Sequence, residues 1–415
     1  MKKVLLLMVF VLAGTITYAG GYRVGVQGQR ALAMGHTGVA VVNSAELGFF
    51  NPAGLVYLEN QLTISAGVSA VFSEVAWQNE STGATARTDN PAGTPFYFNA
   101  SYKLNENLAL GLSIYTPYGS TVEWEDDWAG SHLVNNIKLQ AIYIQPLVSY
   151  KIADFVSVGG GPIFVTGSVN FNRNLSRTLT NIDGERSNVT IDASGVNEWG
   201  WSAGALFTPT EDLRVGVNYR SEIIMNAEGG DADFENIPNT PLAPFSDTTF
   251  DAQLPLPAEL TVGLSYELNE KWLLAFDFNR TYWGVYESLD IKFANGVVSE
   301  NPRGYEDANT WRFGAQYIAT DKLTLRAGYY LDQSPVQPGY FAPETPRNDS
   351  MGFTGGLSLN VTSRLAIDAS FAYIRFDEVD ASYDHYIDEN GQNVPFGGTY
   401  KSVAFIPGLG VTYKL

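Results

Sequence analysis

Glu259-Leu260-Thr261-Val262-Gly263-Leu264-Ser265-Tyr266 is the stretch on which the fold turns. Leu260, Val262, Leu264 and Tyr266 share one face of an extended chain, while Glu259, Thr261, Gly263 and Ser265 share the other, a strict period of two. Leu323, Leu325, Ala327, Tyr329 and Leu331 repeat it against Lys322, Thr324, Arg326, Gly328 and Tyr330, as do Met351, Phe353, Leu357 and Leu359 against Thr354, Gly356 and Ser358. An apolar face of this kind meets either lipid or a protein core.

The connections separate those two readings, because a membrane barrel alternates tight turns with long external loops. Tight turns fall at Asn105-Glu106-Asn107, Ile152-Ala153-Asp154, Pro209-Thr210-Glu211-Asp212, Asn269-Glu270, Thr320-Asp321 and Thr362-Ser363. Long polar or Pro-rich loops are expected near Trp77 to Thr94, Tyr118 to Asn136, Arg173 to Asn197, Ala227 to Leu256, Glu287 to Asp307, Pro335 to Asp349 and Val379 to Gly398. Six turns and seven loops give about fourteen antiparallel strands, an even number as a bacterial single-chain barrel requires. The last strand, Ser402 to Leu415, places Val403, Phe405, Leu409, Val411, Tyr413 and Leu415 on one face and lets the wall close without a free edge.

Ahead of the strands the pattern differs. Lys2 and Lys3, an apolar stretch from Val4 to Ile16 and Thr17-Tyr18-Ala19 have the layout of an export signal over residues 1–19, with the mature chain starting at Gly20. Gly20 to about Asn60 is Gly-rich and lacks alternation, with a helical turn expected around Arg30 to Met34. A segment of that size fits a barrel lumen, so three parts are expected: signal 1–19, plug 20–60 and barrel 61–415.

Composition narrows the function. Nowhere past the leader do roughly 18 apolar residues run together, so any membrane crossing is by strands. The 415 residues include no cysteine and only three histidines, His36, His132 and His385, without metal-ligand spacing; neither a cofactor nor a metal is expected. A formal charge of −19 opposes binding to nucleic acid. Tyr and Phe, 23 of each, together with 41 Gly suit strands that face lipid and turn tightly. The acidic run Glu123-Trp124-Glu125-Asp126-Asp127-Trp128 suits a solvated external loop, or divalent ions and lipopolysaccharide. Gly159-Gly160-Gly161-Pro162 lacks the Lys-Ser/Thr of a phosphate loop and reads as strand glycines.

At Gln29-Arg30-Ala31-Leu32-Ala33-Met34-Gly35, followed by Phe49-Phe50-Asn51-Pro52-Ala53-Gly54-Leu55, the chain resembles the FadL-type family of outer-membrane transporters for long-chain fatty acids and other hydrophobic compounds. Tyr219-Arg220-Ser221-Glu222, Leu254-Pro255-Leu256-Pro257-Ala258 and Asp332-Gln333-Ser334-Pro335 extend the resemblance over nearly the whole mature chain. It implies an all-β, fourteen-stranded antiparallel transmembrane barrel plugged by a small N-terminal hatch, a pocket inside, and a kinked third strand that opens the wall sideways. It also implies that Tyr22 lines the pocket, and that Arg173 and Asp332 stand near the polar head of the ligand. The chain departs from the family at Leu415, where an aromatic residue read by the barrel-assembly machinery is usual and Tyr413 substitutes, and in a shorter loop from Arg173 to Asn197.

Several residues keep two readings. Tyr115-Thr116-Pro117-Tyr118-Gly119 either kinks strand three, since proline cannot donate to the ladder, or begins an external loop. Asn51, Pro52, Ala53 and Gly54 form either a plug contact beside that kink, with the Asn51 amide on its exposed backbone, or an ordinary Asn-Pro turn. Arg173 is a ligand contact or a solvated loop charge; Asp332 is a ligand contact or a turn residue. Capture is expected at Leu242, Pro244, Phe245 and Leu254, followed by passive transfer inward, hatch movement and sideways exit. The alternatives are a general diffusion porin, an outer-membrane lipid hydrolase using His132 or His385, and a soluble secreted sandwich. A barrel so closed requires no second copy and is expected as a monomer.

Overall fold

The computed structural model describes residues 21–239, 245–388 and 390–415. The expected export signal, Leu242 and Pro244 lie outside the described residues. Fourteen strands form one closed antiparallel wall: β1 (Leu62–Ser69 and Phe72–Gln78), β2 (Thr85–Arg87 and Phe96–Asn105), β3 (Leu108–Glu123), β4 (Asn136–Ala153), β5 (Val156–Asn174), β6 (Asn188–Phe207) and β7 (Leu213–Arg220 and Ile223–Glu235), then β8 (Thr248–Leu256 and Glu259–Asn269), β9 (Trp272–Thr281), β10 (Ala308–Ile318), β11 (Leu323–Asp332), β12 (Ser350–Asn360), β13 (Leu365–Phe376 and Val379–Tyr383) and β14 (Phe396–Lys414). Closure runs from Thr63 opposite Lys414 to Gln78 opposite Thr399. The residual backbone groups that would otherwise be exposed to hydrocarbon are thereby paired.

The alternation settles which way the faces point. Val262, Leu264, Tyr266, Phe353, Leu357 and Leu359 are exposed on the outer surface, whereas Glu259, Thr261, Ser265, Thr354 and Ser358 are buried inside. The apolar face therefore meets lipid and the polar face meets the lumen. All six tight turns join consecutive strands where expected. The external loops are shorter than the sequence suggested: β5 and β6 continue to Asn174 and from Asn188, β3 runs to Glu123, and β7 and β8 reach Glu235 and resume at Thr248. The reason is physical. Above the bilayer both faces of a strand are wet, so the alternation that marks a lipid-facing strand fades at Asn170, Asn172, Thr190 and Asp192 although the ladder continues.

Residues 21–60 fold inside the barrel. A helical turn at Gln29–Leu32 (α1), a second at Leu47–Phe50 (α2) and a 3-10 turn at Pro52–Tyr57 carry the plug, and nearly every residue from Val26 to Val56 is buried. The wall admits this much backbone because its lumen face is glycine where the hatch presses closest. A Cβ at Gly328 would lie 2.0 Å from the Gly35 nitrogen, and one at Gly159 would lie 2.6 Å from the Ala53 nitrogen.

Candidate functional site

Strand β3 leaves its neighbour part-way up. The ladder with β2 runs from Leu108 opposite Asn105 to Tyr115 opposite Tyr97 and then stops; β2 and β3 meet again only at Thr88 and Trp124. Thr116 and Pro117 also fall out of register with β4, between Tyr115 and Tyr118. Proline offers no N–H, and the strand runs on through this irregularity to Glu123 instead of starting a loop.

The hatch fills the edge so exposed. The Val24 N–H donates to the Pro117 carbonyl at 2.8 Å, the Gly119 N–H donates to the Tyr22 carbonyl at 3.0 Å, and Gln27 Nε2 donates to the Thr116 carbonyl at 2.8 Å. Tyr22 to Val24 thus act as a short added strand, with Arg23 opposite Tyr118. A cavity of about 370 Å3 lies at this opening, lined by Val24, Thr121, Leu139 and the loop from Asn90 to Pro95, and reaching Arg312 and Asp332 inside.

Above the hatch is a second, apolar chamber of about 130 Å3. Tyr22 forms its floor: the phenol donates to the Pro255 carbonyl, and the ring meets Trp283 at 4.8 Å, Tyr286 at 5.6 Å and Tyr118 at 6.0 Å. Ile137, Leu139, Val196, Met225, Phe250 and Leu254 line the sides. Arg173 reaches into this apolar space and forms no ion pair among the described residues; its guanidinium donates at 3.4 Å to the His132 carbonyl and at 3.3 Å to Ser299 Oγ. Nearby Glu344 is taken by Arg303. The roof is a packed aromatic canopy, with Trp124 stacked on Trp128 at 4.0 Å, Trp77 on Phe396 at 5.3 Å, and His132 against Tyr386 at 4.4 Å. Burial, reinforced by Arg177, Arg173 and Arg186, pushes the His132 imidazole down to about 3.

Below the chamber the lumen is held by charge. Arg23 donates to Asp332 at 2.9 Å, to Asn279 at 2.5 Å and to Glu259 at 3.4 Å, and Glu259 also accepts from Arg220 at 3.3 Å. Arg30 donates to Asp368 at 3.0 Å, and the Glu46 carboxylate accepts from the Arg30 and Ala31 amides.

The expected site residues fall into five places. Tyr22, Leu254 and Arg173 come together at the chamber, Tyr115, Pro117 and Gly119 stand at the bend of β3, and Asp332 sits apart, paired with Arg23. Phe245 is an exposed loop residue against Phe234, away from the chamber. Asn51, Pro52, Ala53 and Gly54 do not lie at the bend. Asn51 Nδ2 donates to the Val39 and Ala205 carbonyls at 2.9 and 3.0 Å, and Ser149 and Ser157 donate to the Ala53 carbonyl, so the block is seated on β4, β5 and β6. Local sequence names a turn but not which wall strand will receive it. Arg23, Glu259, Arg220, Arg30, Glu46 and Asp368 were not anticipated; the available signal was a charge on the lumen face of a lipid-facing strand, as at Glu259 and Asp368.

A closed antiparallel wall, an apolar exterior, a folded N-terminal stopper and an apolar chamber define a plugged outer-membrane β-barrel. Over residues 10–415 the chain matches the family described as outer membrane protein transport protein (OMPP1/FadL/TodX), and it belongs to that family. It is a bacterial outer-membrane transport protein rather than an enzyme. It is 23% identical to the long-chain fatty acid transport protein of Escherichia coli K12, over 95% of this chain and 96% of that one. The fold is that of a Pseudomonas aeruginosa FadL homologue (TM-score 0.82, 20% identity, 95% of this chain and 99% of that one) and of the P. putida toluene transporter TodX (TM-score 0.74, 18% identity, 93% and 97%).

Proposed function

We propose that the protein moves long-chain fatty acids or other apolar molecules passively across the outer membrane, taking them into the chamber above Tyr22 and releasing them sideways past the bend in β3. The observation that carries this reading is the double role of Tyr22: its ring floors the chamber while its carbonyl closes the edge of β3. One movement of the Tyr22–Val24 segment would therefore open the floor and the wall together. Binding requires no energy source, since removing each methylene from water stabilises the bound state by roughly 0.8 kcal/mol. Lipid and lipopolysaccharide surround the wall, and the closed ladder calls for no second copy.

An open porin is disfavoured by the filled lumen. His132 and His385 sit in ring contacts with Tyr386 and Tyr340, which disfavours a hydrolase. Replacing Pro117 and Gly119 together by valine should restore a straight strand, abolishing uptake while the barrel still folds and resists detergent at room temperature. Unchanged uptake would contradict sideways exit.

A further inference from the structure

The chamber wall is incomplete at a second place. Strand β6 pairs with β7 at its outer end, Asn188 to Asp192, and again at its inner end, Ser202 to Phe207. Between these, Ala193 to Trp201 have no ladder partner on β7, and Ser221 to Gly230 have none on β6. Ser221 bridges at the inner end, its N–H donating to the Trp201 carbonyl at 2.9 Å and its hydroxyl accepting from the Trp201 N–H at 3.0 Å. Each strand keeps its other neighbour, β5 for β6 and β8 for β7, so the interval is a slot in the wall and not a frayed loop. Gly195 at φ +68° and Gly229 at φ +66° turn the two strands apart at its outer end.

Side chains rather than backbone close the slot. Ile223 and Met225 are buried on its lumen side; the Met225 methyl carbon lies 2.8 Å from where a Cβ on Gly167 would stand. Across the interval Asn226 Nδ2 donates to Glu198 Oε1 at 2.5 Å. On the outside Trp199 and Trp201 are 67% and 51% exposed. Phe207 packs on Phe155 near the turn at the other end of the strand. A tilted strand crosses the apolar band in roughly ten residues, so a count from Phe207 ends the band near Glu198: the slot, Ala193 to Trp201, straddles its outer boundary, with the tryptophans just inside it. Directly inside stand Val196, Met225 and Ala227, all lining the apolar chamber.

We propose that this slot is a second lateral window, through which an apolar molecule dissolved in the outer leaflet enters the chamber, with Met225 as its gate and Glu198–Asn226 as its latch. The other two routes are shut: the aromatic canopy covers the top, and Tyr22 to Val24 close the bend in β3. A methionine, unbranched and adaptable, can swing aside without a backbone change. At the outer end of the interval headgroups and water can pair the free backbone, unlike in the bilayer core, and at its inner end Ser221 pairs both backbone groups of Trp201. Entry and exit then use different openings in the wall, and a molecule crosses without passing through the loops. The window rests on the reading that the chamber holds apolar molecules.

The chain has no cysteine, so Glu198→Cys with Asn226→Cys, oxidised through a short bis-thiosulfonate linker that spans the two side chains and is removed by reduction, gives a reversible staple across the slot. Protein in nanodiscs is supplied with cis-parinaric acid from liposomes, and loading is followed by energy transfer from tryptophan. The oxidised form should load at least about tenfold more slowly than the reduced form, with the same final amount bound. In the otherwise native chain Met225→Ala should speed loading and Met225→Trp should slow it. Equal rates in the two redox forms and in both Met225 variants overturn the window while leaving the chamber reading in place. No probe bound in any form overturns the chamber reading and the window with it.

Discussion

The two halves of the lumen are held together by opposite means. Around the hatch, contacts are directional and polar: Arg23 with Asp332 and Glu259, Arg30 with Asp368, Asn51 with two carbonyls, and glycines that let backbone touch backbone. Above Tyr22 the contacts are aromatic and aliphatic, with Arg173 as a cation that no carboxylate among the described residues claims. A stopper must sit in one register, which geometry-sensitive bonds and close approach enforce. A chamber for greasy molecules of varied shape is better made from contacts without direction.

The contrast breaks most sharply at Gly328. Valine there would place its Cβ 2.0 Å from the Gly35 nitrogen, a backbone clash that no rotamer relieves, costing about 3 kcal/mol or more of hatch seating. Gly328→Val should therefore give steady single-channel steps in a planar bilayer where the native protein passes almost no current. A silent variant would mean that the hatch does not depend on that approach.

The canopy should yield next, to acid. His132 is held near 3, below the ordinary value of about 6.5, so the packed roof favours the neutral ring. An opened roof binds the extra proton between those values. The stabilisation is thus complete above pH 6.5 and is lost as pH falls toward 3, amounting to roughly 2–3 kcal/mol by pH 4.5. Emission from Trp124 and Trp128 should shift to longer wavelength over that range, and His132→Leu should remove the shift. A flat profile in the native protein would detach the canopy from this imidazole.

The smallest effect tests Arg173. Replacement by leucine should weaken binding of palmitate by roughly tenfold, the size of one charge-assisted hydrogen bond, and leave naphthalene unaffected. Equal losses for both would make Arg173 a packing residue.

Much of the wall was legible because lipid imposes its own pattern. Leu260, Val262, Leu264 and Tyr266 alternate since each outward side chain meets hydrocarbon, and the six turns separate such runs. The interruption of the β3 register at Thr116 and Pro117 was legible for a different reason, the missing donor. Beyond the bilayer that imprint fades, which is why the outer ends of β5 to β8 read as loops where they are wall. The placement of Asn51 on β6, the Arg23 network and the slot between β6 and β7 are pairings across more than a hundred residues or interruptions in a ladder, and single-chain periodicity carries neither.

The central claim is that Tyr22 to Val24 are the removable edge of strand β3. Arg23 and Tyr118 face each other without mutual hydrogen bonds, the arrangement in which Cβ atoms stand about 4.5–5.5 Å apart, so Arg23→Cys with Tyr118→Cys should form a disulfide. Delivery of cis-parinaric acid through proteoliposomes carrying that pair should stop on oxidation, with binding retained, and resume on reduction. Delivery at the same rate with the disulfide closed would contradict the account.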